Sequence, residues 1–246
     1  MKSIAVISIL LVCAGPAAAA DLTIMVEDAS EPFSRADGSG YANDIVRAAY
    51  RASHINVRLD VVPYARCKES VLLGKTPACF AMSWSPEMSG KIVFSDQPIF
   101  EVYADIFRSA QASGNLKSAT DFRKGSVLGV VRAYEYSDAI NQLTKRGVIF
   151  ERGVDELAIL NMLARHRIDA AVVMTNDFLD GPQRLKAAGV ADTVSFAYRS
   201  GSERAYIGFS SINPKGEAAR RAFDNGYKII RNNGTAAKIR ATWMRR

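Results

Sequence analysis

Short apolar runs broken by polar turns organise this chain, and the spacing of the apolar positions switches between strand and helix periods along it. Residues 21–26 (DLTIMV) alternate as a strand, then run into Glu27-Asp28-Ala29-Ser30 and Glu31-Pro32-Phe33. A residue before proline is pushed towards extended backbone, so this step carries the Phe33 ring out beside the strand's carboxyl end. Phe33 as a core plug under the loop is the other reading. After the turn at Gly38 and Gly40, Tyr41, Ile45, Ala48, Ala49 and Ala52 recur at helical spacing. Residues 57–62 alternate as a second strand, and 63–73 form a short helix ended by Gly74-Lys75. Cys79 to Met82 reads as a buried strand that breaks into Ser83-Trp84-Ser85-Pro86-Glu87 and returns at 92–95. A long extended run follows over 99–107.

The plan then repeats. Residues 127–131 are a strand, Arg132-Ala133-Tyr134-Glu135-Tyr136 a polar, aromatic turn, and 137–146 a helix; 148–150 is a strand, and Asp155 caps a helix to about 163. A buried strand at 168–174, a helix over 176–188 and a strand at 193–198 complete this half. Residues 206–210 lead into helices at 214–231 and 235–244. Two successive βα units with a helical tail predict an α/β protein of two lobes. Open α/β sheets place ligands at the carboxyl ends of their strands. Ser83, Trp84 and Ser85 there offer hydroxyls and a stacking ring, or else an ordinary solvated turn. Tyr64 and Arg66 stand in the first turn of a helix, where unpaired N–H groups welcome an anion.

The order of these features resembles the extracellular solute-binding proteins of family 3, the periplasmic components of polar amino-acid ABC importers, with a type II periplasmic-binding-protein fold. The resemblance is carried by Pro32-Phe33, Gly40-Tyr41-x-x-Asp44-Ile45, Leu73-Gly74-Lys75, Ser85-Pro86-Glu87, Phe94-Ser95-x-x-Pro98, Ile168-Asp169-Ala170 and the closing Gly234 to Trp243. It implies two lobes, residues 21–105 with 203–246 and residues 106–202, each a mixed sheet flanked by helices, and a two-strand hinge. It also implies a monomer that captures a small-molecule solute for ABC importer permease subunits, with no cofactor and no catalysis.

The family's charged anchors are missing. The arginine that grips a ligand carboxylate falls at Met88, and the aspartate that takes the ligand ammonium falls at Met174, with Asp177 three residues on. Arg66 and Arg132, each at a helix-entry turn, are the candidates to replace the first as a pair. Tyr64, Trp84, Tyr134 and Tyr136 supply apolar faces with polar tips. Glu27 and Asp28 are candidates for a cationic group. The expected ligand set is therefore Glu31, Phe33, Tyr64, Arg66, Ser83, Trp84, Ser85, Arg132, Tyr134, Tyr136, Met174 and Asp177, for a small polar or anionic solute, amino-acid-like or an organic acid. Exposed arginines, core tyrosines and lobe-packing methionines are the bland alternatives.

Two other functions fit the same fold. An exported accessory protein that docks a sensor would need neither anchor. A dehydratase-like enzyme would need a carboxyl group in a dry cleft, for which Glu31 or Glu135 would serve. The chain has no Gly-x-Ser-x-Gly elbow and no phosphate loop, and its two histidines, His54 and His166, lack a second ligand at metal spacing.

The N-terminus sets the compartment. Met1-Lys2, an apolar run over 4–12, Gly15-Pro16 and Ala18-x-Ala20 before Asp21 read as a signal peptide cleaved after Ala20, hence a periplasmic protein. Cys13 follows Val12, where a lipobox wants a small residue. No later stretch approaches the ~18 apolar residues of a membrane span, so no stable membrane insertion is expected. The net charge of +7 is spread along the chain rather than gathered in an arm, which argues against a nucleic-acid partner. Cys67 and Cys79 remain after cleavage and read as a disulfide in an oxidising compartment, or as buried thiols.

Overall fold

The computed structural model describes residues 22–245; the expected signal peptide and its cleavage site lie outside the described residues. In chain order the elements are β1 (Leu22–Glu27), β2 (Ala29–Ser30), β3 (Ser34–Arg35), α1 (Tyr41–Ala52), β4 (Val57–Val62), α2 (Tyr64–Leu72), β5 (Ala78–Met82), β6 (Ile92–Phe94) and β7 (Phe100–Ser109). They continue with β8 (Val127–Val131), α3 (Asp138–Asn141), β9 (Ile149–Gly153), α4 (Glu156–Ala164), β10 (Ala170–Thr175), α5 (Gly181–Ala187), β11 (Val194–Ser210), α6 (Gly216–Asn232) and α7 (Thr235–Trp243).

One mixed sheet runs β4-β1-β5-β11-β7-β10-β8-β9, with β6 also on β11. Strands β4, β1 and β5 are parallel, as are β10, β8 and β9. The two sets are joined by β7 and β11, which pair antiparallel from Val194↔Ser109 to Ala205↔Phe100 with two register shifts. The apolar side chains gather accordingly. Ile24, Ile45, Tyr50, Phe80, Phe209 and Phe223 belong to one body of core, whereas Ile106, Leu128, Ile140 and Val172 belong to another. Long strands that pass between two separately packed bodies are where a hinge can sit. Strand β10 (AAVVMT) is buried at every position, as a strand covered on both faces must be.

The two strands expected at 193–198 and 206–210 are one 17-residue strand, β11, with a register shift against β7 between Arg199 and Gly201. The helix expected over 137–146 is only α3 followed by a 3-10 turn, which Gly147 ends at positive φ. The helix expected from 176 starts at Gly181. The Asn176 side chain accepts from the N–H groups of Phe178 and Leu179, and the Asp180–Gln183 capping box then opens α5.

Helix α2 buries Tyr64, Cys67, Lys68 and Val71, the i, i+3, i+4, i+7 set of one helix face. A disulfide joins Cys67 on this helix to Cys79 on β5, Cα–Cα 5.6 Å. Closing a loop of this size is worth about 3 kcal/mol in the chain-entropy account. Reduction is expected to lower the unfolding free energy by about that amount, read as a shift in urea midpoint with and without reductant at unchanged slope. An unmoved midpoint would mean that α2 is held by packing alone.

Candidate functional site

Strand β1 is an inner strand, so its last residue, Glu27, ends inside the molecule and is only 4% exposed. The chain then folds back, and Ser34 Oγ donates to the Glu27 carbonyl. Phe33 is buried with its ring stacked on Phe100 at 3.6 Å and 5°, and Phe178 meets it edge-on from the loop after β10. The Phe33 and Phe100 rings line a cavity of about 50 Å³ between the two bodies of core. Four carboxylates line it, Glu27, Glu135, Glu156 and Glu203, together with Ser83, Tyr134, Met174 and one guanidinium, Arg184. A larger basin of about 400 Å³, lined by Asp28, Glu31, Arg35 and Leu157 among others, shares Glu156 and Arg184 with it. Typical small-molecule pockets enclose about 300–1,000 Å³. The inner cavity as it stands has room for a head group rather than a whole amino acid.

Two of the four carboxylates are matched by cations. Glu156 is bound by Arg184 at 2.5 Å and accepts from the Met174 N–H at 2.5 Å, while Arg184 Nη2 donates to the Glu31 carbonyl at 2.9 Å. Glu135 is bound by Lys68 at 2.7 Å, and Lys68 also holds Glu87 at 2.6 Å and donates to the Ala133 carbonyl at 3.0 Å. Burial works against the Lys68 charge, but the ion pairs with Glu135 and Glu87 outweigh it and hold the ammonium above its ordinary pKa.

Glu27 and Glu203 have no cation partner among the described residues. Tyr134 donates to Glu27 Oε1. Burial pushes the Glu27 carboxyl up to about 8 against the pull of the Tyr134 hydrogen bond, with Glu156, Asp28 and Glu135 adding to the rise. Burial also raises Glu203, with Glu135 and Asp138 adding. Burial first, and neighbouring carboxylates next, hold Tyr64 and Tyr134 well above the ordinary phenol range, so both remain donors.

Of the residues expected from the sequence, Phe33, Ser83, Tyr134 and Met174 line the inner cavity. Tyr64 stands behind it, donating to Glu135 at 2.6 Å. Glu31 lines the outer basin and pairs with Arg35 at 3.2 Å. The others lie elsewhere. Arg66 is exposed because the buried face of α2 is the 64-67-68-71 set. Arg132 is exposed just beyond β8. The two arginines therefore do not meet in the cleft as a pair. Trp84 is 64% exposed, and Ser85 donates to Glu87 at the surface. The Tyr136 hydroxyl accepts from the Val131 N–H at 2.8 Å, a local staple. Asp177 is exposed and held by Arg240 at 2.9 Å and Tyr103 at 3.2 Å.

Lys68, Glu156, Arg184 and Glu203 were not among the expected site residues. A lysine on the apolar face of α2 was a legible signal; the other three carry no local mark. Glu31, weighed as an acid for dry-cleft chemistry, is exposed and paired, and Glu135 is neutralised by Lys68. Among the described residues, no group of three or more His, Cys, Asp or Glu could hold a metal ion, and no helix is long and apolar enough to cross a membrane.

No protein-family model matches the chain, and no curated protein matches it. Solved structures do. A histidine kinase sensor domain with similarity to periplasmic binding proteins is 19% identical with a TM-score of 0.77, over 92% of this chain and 96% of that one. An ancestral arginine-binding protein bound to arginine is 20% identical with a TM-score of 0.75, over 91% and 97%. The arginine-, lysine-, histidine-binding protein ArtJ from Geobacillus stearothermophilus is 18% identical with a TM-score of 0.74, over 92% and 96%. The likeness spans nearly the whole of each chain, and the chain has the two-lobed α/β fold of type II periplasmic binding proteins.

Proposed function

We propose that the chain is an exported solute-binding protein that closes its cleft on a small organic cation bearing an amine or guanidine head. The observation that carries this reading is Glu27, a buried carboxyl group on the inner cavity with no cation partner among the described residues, beside Glu203 and with the one lining guanidinium already engaged. An anionic solute would find no cation there and would hold these carboxyls protonated, and the arginines expected to bind it are exposed. In this reading the lobes are residues 21–105 with 203–246 and residues 106–202, and β7 and β11 are the hinge. The head sits between Glu27, Glu203 and the Tyr134 ring, where a cation gains from both charge and aromatic face. Closure buries it, and the closed form is presented to importer permease subunits in the periplasm, with the solute released unchanged. The arginine-binding proteins of the same fold support a cationic solute.

The test is thermal unfolding of residues 21–246 against methylamine, diamines, guanidines, amino acids and organic acids. A ligand at 100 times its dissociation constant stabilises by about 2.7 kcal/mol, a shift of about 5–10 °C for a chain of this size. A response to amines and none to organic acids is expected. A response confined to organic acids would sink the cationic reading.

A second reading is a sensory partner rather than an importer component. It is favoured by a cleft already closed by the chain's own ion pairs around so small a cavity, and by the sensor domain among the similar structures. Silence across the whole panel would move the assignment there.

A further inference from the structure

The contacts that close the inner cleft include one of a particular kind. Glu135 comes from the turn after β8, in the second half of the chain, and its carboxylate ends among donors that all come from the first half. Oε2 accepts from the Tyr64 hydroxyl at 2.6 Å and from the Ser83 backbone N–H at 3.2 Å, and Oε1 meets Lys68 Nζ at 2.7 Å. A neutral hydroxyl, a main-chain N–H and an ammonium converging on two oxygens are the donor set that recognises a carboxylate. The set does not depend on Glu135 for its shape. Lys68, its side chain 9% exposed, is also held by Glu87. Tyr64 is fixed by burial on α2, and Ser83 follows directly on β5, which the disulfide ties to the same helix.

We propose that Lys68, Tyr64 and the Ser83 N–H form a carboxylate-binding site that the chain fills with its own Glu135, so that the cleft selects solutes carrying no carboxylate of their own. The second half of the proposal rests on the solute-binding reading; the first half does not. A solute carboxylate could enter only by evicting Glu135, which would then stand beside Glu27, Glu156 and Glu203 without a cation. Glu135 is thus a specificity-determining residue: it satisfies the donors in cis and sets a carboxylate-bearing solute at a disadvantage.

The test is to empty the site and supply the carboxylate from solution. Glu135→Ala and Glu135→Ser are unfolded thermally in sodium acetate or formate against sodium chloride at equal ionic strength, and acetate binding is read separately by saturation-transfer NMR. Both variants are expected to melt below the parent in chloride and to recover saturably in acetate, with acetate affinity at least about tenfold above that of the parent, a difference of about 1.4 kcal/mol. Adding Lys68→Met is expected to abolish the recovery. An equal acetate response in parent and variants, a folded variant with none, or a recovery indifferent to Lys68→Met would each overturn the site. Should Glu135→Ala fail to fold in chloride, folding in acetate supports the site, and failure in both leaves the decision to Glu135→Ser. Methylamine binding by the parent, measured in parallel, separates the two claims. Amine binding without acetate recovery overturns the cradle and leaves the solute-binding reading standing, and the converse does the reverse.

Discussion

Replacing Glu27 by glutamine is expected to flatten the pH dependence of stability between about pH 5 and 8 and to raise the melting temperature at the upper end. The carboxyl stands at about 8 in the folded chain against 4.5 for the ordinary group. Below the lower value both states hold the proton, and folding is not penalised. Between the two the folded state keeps a proton that the unfolded state has lost, so stability falls as pH rises and the penalty is complete above about 8. At about 1.4 kcal/mol per unit, the contribution is on the order of 5 kcal/mol. Glutamine keeps the acceptor for Tyr134 and removes the charge. The same group governs the proposed ligand. An amine head needs the ionised carboxylate, so binding expels the proton, and affinity should climb by up to about tenfold per pH unit and level off near pH 8. Calorimetry in two buffers of different ionisation enthalpy would read one proton released near pH 6.5. Affinity that is flat with pH, or unchanged in Glu27→Gln, would remove Glu27 from the site.

Why the sequence put Arg66 and Arg132 ahead of Glu27, itself a candidate for a cationic group, is a matter of range. Helix periods are local, and they correctly placed α1, α2, α4 and α6 and the strands β1, β4, β7, β8 and β10. A two-residue offset along a helix is local too. Tyr64 and Arg66 share a first turn, yet 200° of rotation separates them on the ideal wheel, and the apolar run Tyr64, Cys67, Val71 already chooses which one turns inward. Lys68 lies on that inward face, which marks it as a lysine that must find a buried acid. Its partner, Glu135, is 67 residues on in an aromatic turn, and nothing in either segment names the other.

Glu156, Arg184 and Glu203 show the same limit more plainly. Glu156 follows an N-cap aspartate and reads as a first-turn acid serving the helix dipole. Arg184 sits in a short helix as an ordinary surface base would, and Glu203 lies in the long β11 strand. Only the return of β10 beside β7, which brings Met174 opposite Ala104, sets these three groups around one cavity. The fold was legible because it is a sum of local periods and turn chemistry. The site was legible in part, through Phe33, Ser83, Tyr134 and Met174, because a strand's carboxyl end is a local feature. Its charge balance was not, because that depends on pairs joined across the hinge.

The Arg184–Glu156 pair carries the second large effect. Both side chains are 11% exposed and 2.5 Å apart. Arg184→Met keeps the apolar stem and deletes the charge, leaving Glu156 buried beside Asp155 with the Met174 N–H as its remaining support. Stranding one member of a buried pair typically costs about 3–5 kcal/mol. The loss should grow as pH rises, since burial already holds the Glu156 carboxyl above its ordinary value, and removing the guanidinium that opposes that rise lifts it further. Adding Glu156→Gln should return most of the loss, because an amide keeps the acceptor for Met174 and has no charge to strand. What the double variant does not restore is the reach of Arg184 to the Glu31 carbonyl across the cleft. Equilibrium unfolding should therefore place the single variant well below the parent and the double variant close to it, while small-angle scattering should find the double variant more open. If the single variant proves as stable as the parent, Glu156 is protonated in the native state and accepts a hydrogen bond from the guanidinium without forming an ion pair. Should the double variant be as closed as the parent, the cleft is shut by Glu135 and Lys68 without help from Arg184.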